Sequence, residues 1–144
     1  MTGHAFQVFV EDAEVRAALA AIRSALTDDG RFAFETRNPR VREWERWTPE
    51  HANEVNDASG ATVRMERRVE APVVGDIVQF THTFTSPRWD QPQVSESTLR
   101  FLDVASLSSF LSDAGMAIEQ QFGDWGGEPL GETSPEIITI ARRA

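Results

Sequence analysis

Apolar residues recur first at helical and then at alternating spacing along this chain. Val15, Leu19, Ile22 and Leu26 fall 4, 3 and 4 residues apart, which predicts one apolar stripe on a helix of about four turns, with Asp12 offering the N-cap. Gly30 is expected to close that helix in the left-handed conformation. In Arg31–Thr36 the residues Phe32, Ala33 and Phe34 are consecutive and apolar, as in a strand covered on both faces. Pro39 cannot donate to a ladder and biases Asn38 towards extended geometry, so the strand stops there. In Thr62–Glu70, Val63, Met65 and Val69 share one face, while Arg64, Glu66, Arg68 and Glu70 share the other. Ile77–Thr85 puts Val78, Phe80, His82 and Phe84 on one side, and Val94–Leu102 follows the turn at Pro87–Pro92. Three alternating segments joined by short turns predict an antiparallel meander. Asp103 then caps a helix with the apolar face Leu107, Phe110, Leu111 and Ala114, ended by Gly115. Met116–Phe122 and Glu136–Ala141 read as two further strands. Arg40–Gly60 is polar and reads as a loop with one helical turn. By propensity alone Phe6–Val10 is another strand.

The totals narrow the function. The 144 residues, 40% hydrophobic and 26% charged, suit one soluble domain. No apolar run approaches the ~18 residues of a membrane helix, and no leader pattern is present, so a cytoplasmic location is expected. A net charge of −9 argues against nucleic acid, which rewards clustered cations. Arg37, Arg40, Arg42 and Arg46 do cluster, but Glu35, Glu43 and Glu45 interleave them, as on a solvated, salt-bridged surface. The chain has no Cys, no Tyr and no Lys. Thiolate chemistry, zinc–thiolate sites, Schiff-base lysines and the P-loop lysine are therefore excluded. No Gly-x-Gly-x-x-Gly occurs, and no two histidines stand at ligand spacing, so no metal site is expected.

Four short motifs, in order, resemble the C-terminal half of a class I S-adenosylmethionine-dependent methyltransferase. Leu26-Thr27-Asp28-Asp29-Gly30-Arg31-Phe32 is similar to that family's "L-x-x-G-G-R-F" before its fifth strand. Phe110-Leu111-Ser112-Asp113-Ala114-Gly115-Met116 is similar to "L-L-x-x-A-G-F" before the sixth. Phe122-Gly123-Asp124-Trp125 matches a "Y-G-D-W" turn, and Ile137 to Arg143 a closing "I-I-x-I-A-R-R" strand. The resemblance implies an α/β fold: a partial Rossmann-like methyltransferase sheet with an inserted antiparallel three-stranded cap at about 40–102, all within one domain, 1–144. It also makes Met1-Thr2 the tip of the family's fourth strand and Gly3–Gln7 the loop behind it, in place of a strand at Phe6–Val10. The family's Gly-rich loop, ribose-binding acid and adenine-side Asp have no counterpart here. The implied cofactor, S-adenosylmethionine, is thus expected not to bind this chain alone, and Met1 reads as an internal start.

Within that frame His4 lies where family members line the methyl-transfer pocket, and a near-neutral imidazole suits a general base. Arg37 and Asn38, at the end of the central strand, are candidates to hold a substrate, the Arg by a bidentate contact with a carboxylate or carbonyl. His82, on the apolar side of its strand, and Trp125 are the other substrate-side candidates. Trp44, Trp47, Trp89 and Trp125 are expected around one rim, plugging gaps or flooring a pocket. Asp124 reads as a turn former. The expected function is methyl transfer to a small molecule; the alternative is a non-catalytic binding or assembly module. In either case a homodimer or a second chain is expected to cover an exposed sheet edge.

Overall fold

The computed structural model describes all 144 residues. The chain divides into two compact units, one made of Met1–Arg42 with Leu99–Ala144, the other of Glu43–Thr98.

The first unit opens with a 3-10 turn at Ala5–Val8, where propensity alone predicts a strand. Helix α1 spans Asp12–Ala25. Its N-cap is Glu11 rather than Asp12, because the Glu14 carboxylate reaches back to the Val10 and Glu11 amides at 3.0 Å each. Asp12 instead accepts from Arg100 Nη1 at 2.7 Å. Val15 and Leu19 are fully buried, with Ile22 and Leu26 packed at the margin of the same core. The helix stops at Leu26, which turns extended, four residues earlier than expected. Gly30 does not close it and is not left-handed; its amide donates to Thr27 O at 3.0 Å. It is needed for space, since a Cβ there would stand 3.0 Å from Thr27 N and 3.1 Å from Leu26 Cδ2.

Strand β1, Arg31–Arg37, follows. Helix α2, Val104–Asp113, starts where Asp103 accepts from Ser106 N at 2.8 Å and is followed by a left-handed Gly115. Strands β6, Met116–Phe122, and β7, Glu136–Arg143, complete the unit. The sheet order is β1-β7-β6, with both pairs antiparallel, so β1 and β6 run the same way on either side of β7. Phe6, Phe34, Leu102, Leu107, Leu111, Met116 and Ile137 join the α1 stripe in one core. Each such side chain contributes about 1.5–3 kcal/mol by leaving water.

The second unit holds strands β2, Asn53–Asn56, β3, Thr62–Val69, and β4, Ile77–Thr85, with most of β5, Gln93–Arg100. The sheet order is β2-β3-β4-β5, so the sheet has four strands, not the three expected. The extra strand, β2, pairs antiparallel with β3 and is exposed at every position. Its pairing is through the backbone and leaves no apolar alternation to read. The stretch before it folds into three 3-10 turns, Pro39–Val41, Glu43–Arg46 and Pro49–His51, rather than one helical turn. Trp47, Val78 and Phe80 are the buried apolar residues of the second unit. The chain is thus mostly antiparallel sheet with two α-helices, and no helix is long and apolar enough to cross a membrane.

Candidate functional site

The C-terminal end of β1 gathers the buried polar residues Glu35, Thr36 and Asn38, with Gln7 beside them. β1 is covered on both faces here, and Phe34, Glu35 and Thr36 are all buried. Glu35, only 7% exposed, is therefore not part of a solvated charged surface, the reading its arginine neighbours suggest. Its Oε1 accepts from the amides of Gly3 at 2.5 Å and His4 at 3.1 Å. Its other oxygen accepts from the indole N–H of Trp125. Burial pushes the Glu35 carboxyl up, but the indole and the two amides outweigh it and hold the group below its ordinary value. An ionised carboxylate thus ties the 3-10 turn and the Trp125 loop to the strand.

Gly3 and His4 are both left-handed, at φ 69° and 57°. That conformation is uncommon for His, and it aims two successive amides at one oxygen. It also carries the imidazole to β7. His4 Nε2 lies 2.9 Å from each oxygen of Glu136, and the two side chains are 23% and 22% exposed. Glu136 is the ladder partner of Arg37. Gln7, fully buried, places the guanidinium: its Oε1 accepts from Arg37 N at 3.2 Å and Nη1 at 3.1 Å, and its Nε2 donates to Arg100 O at 3.0 Å.

The predicted residues separate on this geometry. His4, Arg37 and Trp125 converge on one cluster. Asn38, buried beside it, staples a loop: its Nδ2 donates to Ser134 O at 2.9 Å, its Oδ1 accepts from Arg40 N at 3.1 Å, and its own amide donates to Pro135 O at 3.0 Å. Asp124 forms the expected turn, accepting from Gly126 N at 2.8 Å. His82 belongs to the second unit, in a row where it lies 5.1 Å from Phe80 and 5.9 Å from Phe84. Burial, then the charge of Arg67, lowers its pKa and favours the neutral ring. Trp47 is buried against Phe80, whereas Trp89 and Trp125 are exposed.

Glu35, Glu136 and Gln7 are the site residues that sequence reasoning missed. For Glu35 a signal existed, since it follows Phe34 in a strand read as covered on both faces. Glu136 stands 132 residues from His4, and no local pattern joins them.

The nine glycines give no strand-to-helix turn: none lies between a strand and the helix that follows it. Both helix starts are closed by carboxylates, Glu14 on α1 and Asp103 on α2. Neither is the open, glycine-lined helix start that cradles a nucleotide cofactor.

Comparison with protein-family models finds no match, and comparison with the curated proteins finds none either. Among solved structures, an S-adenosylmethionine-dependent methyltransferase from Clostridium acetobutylicum superposes with a TM-score of 0.77 at 10% identity, over 99% of this chain and 56% of that one. The CcbJ methyltransferase from Streptomyces caelestis gives 0.78 at 15% identity, over 99% and 58%. CalS10, an amino pentose methyltransferase from Micromonospora echinaspora solved with S-adenosylmethionine bound, gives 0.68 at 18%, over 99% and 57%. The chain therefore spans little more than half the length of the structures it matches. Its fold, consistent with a C-terminal half, is that of one part of an S-adenosylmethionine-dependent methyltransferase.

Proposed function

We propose that this chain is the acceptor side of a methyltransferase that uses S-adenosylmethionine and acts on a small molecule. On this reading the three-stranded sheet is part of a Rossmann-like sheet and the four-stranded one its cap. The cofactor is held by residues outside this chain, because the helix starts and glycines described above do not fit it. A partner chain or a second copy covers the open sheet edges.

The observation that carries the reading is the His4–Glu136 pair. Nε2–H donates to the carboxylate, which fixes the tautomer and leaves the Nδ1 lone pair, with no partner in the protein, to take a proton. A base oriented by a third group is the arrangement general-base chemistry needs. The acceptor hydroxyl or ammonium would lose its proton to Nδ1, with Arg37 and the exposed ring of Trp125 as its binding groups on this reading. Asn38 acts through the loop it staples.

The test is to read the coding DNA in frame across Met1, express the longest product, and measure labelled methyl transfer. His4→Ala should slow transfer by about 10²-fold or more and leave cofactor affinity unchanged. A product that neither binds S-adenosylmethionine nor transfers methyl groups would defeat the proposal in favour of a binding module. Equal rates for His4→Ala and the parent would remove His4 from it.

A further inference from the structure

The second unit carries a cleft of about 440 Å³, lined by Glu43, Arg46, Trp47, His51, Asn53 and Arg67. That volume suits a small molecule. Two guanidiniums and one carboxylate line it, in a chain with a formal net charge of −9. Six arginines of this chain, Arg16, Arg31, Arg40, Arg64, Arg100 and Arg143, form ion pairs with acidic side chains. The side chains of Arg46 and Arg67 make neither an ion pair nor a hydrogen bond within the protein.

Arg67 is the more telling of the two. Strand alternation puts it on the apolar face of β3 with Met65 and Val69, opposite His82. Its guanidinium lies 5.4 Å over the buried Trp47 ring, so its plane is braced while its N–H donors have no partner. His51 adds to the site: its Nδ1 meets Thr48 Oγ1 at 3.0 Å, which leaves Nε2 for another contact. A braced cation with unused donors, a second beside the same cleft and an imidazole nitrogen together form an anion receptor.

We propose that this cleft binds a small organic anion through a carboxylate or phosphate group held by Arg67 and Arg46, independently of the His4 cluster. Glu43 limits the charge the cleft accepts and selects against larger polyanions.

The test titrates the chain with inorganic phosphate and, separately, with benzoate at constant ionic strength. Calorimetry gives affinity, and the Arg Nε–H and Trp47 indole resonances give location. Saturable binding at ~1–10 mM is expected, with shifts at Arg67 and Trp47. Arg46→Gln and Arg67→Lys should each weaken it about tenfold, while Glu43→Gln should tighten it roughly threefold by removing a like charge. Arg67→Lys should weaken benzoate more than phosphate, because a carboxylate uses the planar fork. Tighter benzoate binding assigns the natural ligand to carboxylates, and tighter phosphate binding to phosphate esters. Arg88→Gln, outside the cleft, should change nothing. No saturation by ~100 mM, equal shifts from sodium chloride, or an Arg88→Gln loss matching that of Arg46→Gln would each overturn the proposal. Arg46 is on the surface, so its variant decides the matter even if Arg67→Lys perturbs folding.

Discussion

Replacing Glu35 by Gln keeps the shape of the side chain and removes its charge. The Gly3 and His4 amides both bond to Oε1, and Gln can still offer them a carbonyl. The other oxygen becomes an NH₂ facing the Trp125 indole N–H, donor against donor. A hydrogen bond to a charged group is worth about 1.5–3 kcal/mol. Trp125 is 54% exposed, so its indole can turn to water, and the lower end applies. Weakening the two amide bonds from charged to neutral adds about 0.5–1 kcal/mol. The expected loss is roughly 2–2.5 kcal/mol. With an unfolding entropy of ~2.1 cal/mol/K per residue, that lowers Tm by roughly 7–8 °C. The pH dependence is the sharper signature. Because the folded carboxyl sits below its ordinary value, its contribution is present above the unfolded value and is lost as pH falls through the folded one. The gap between parent and Glu35→Gln, wide at pH 7, should close on acidification. Thermal melts from pH 7 to pH 3 measure it. A variant within about 0.5 kcal/mol of the parent at pH 7, or a gap that persists in acid, would refute the role assigned to Glu35.

Four other outcomes are expected. In the longest in-frame product, Glu136→Gln should lower kcat about tenfold or more and shift its pH profile, because the base loses its orienting group; an unchanged profile would remove Glu136 from the mechanism. Calorimetry of this chain with S-adenosylmethionine should give no Kd below ~100 μM; tighter binding would mean the cradle is present. Leu111→Ala, in the fully buried core of the first unit, should cost about 2–5 kcal/mol in urea unfolding, and a cost under 1 would show that site to be loosely packed. Light scattering should show association at high micromolar concentration, since edge strands β2 and β5 expose Val55 and Val94, at 65% and 63%; a stable monomer would contradict the partner expectation.

What could be read from the residues followed physical rules that act locally. Asp103 and Gly115 bracket α2 because a capping carboxylate and a left-handed glycine act within a few residues of the helix. β3 and β4 alternate because each has one face against apolar neighbours. β2 was invisible for the converse reason: it is exposed throughout and held by backbone bonds that any sequence can make. Gly30 was recognised as necessary for the wrong reason, since crowding by Thr27 and Leu26 leaves the same letter in the sequence as a left-handed turn would. The candidate site was half legible. His4, Arg37 and Trp125 stand out in the sequence as candidates, but the carboxylates the structure sets beside them do not, because Glu35 and Glu136 act on partners brought together only by the tertiary fold.

The wide separation in sequence between β1 and its only ladder partner has a consequence for the emerging chain. Arg31 pairs with Arg142 and Arg37 with Glu136, so β1 leaves the ribosome long before β7 exists. At ~5–20 residues per second, the intervening stretch of roughly a hundred residues takes about 5–20 s to synthesise. The contiguous β3–β4 hairpin can close within that interval, on a microsecond timescale of ~1–10 μs. Phe32 and Phe34 meanwhile remain without the strand that shields them, next to an open ladder edge. For several seconds of each round of translation, the nascent protein offers chaperones an apolar hook at β1 that the finished molecule no longer displays.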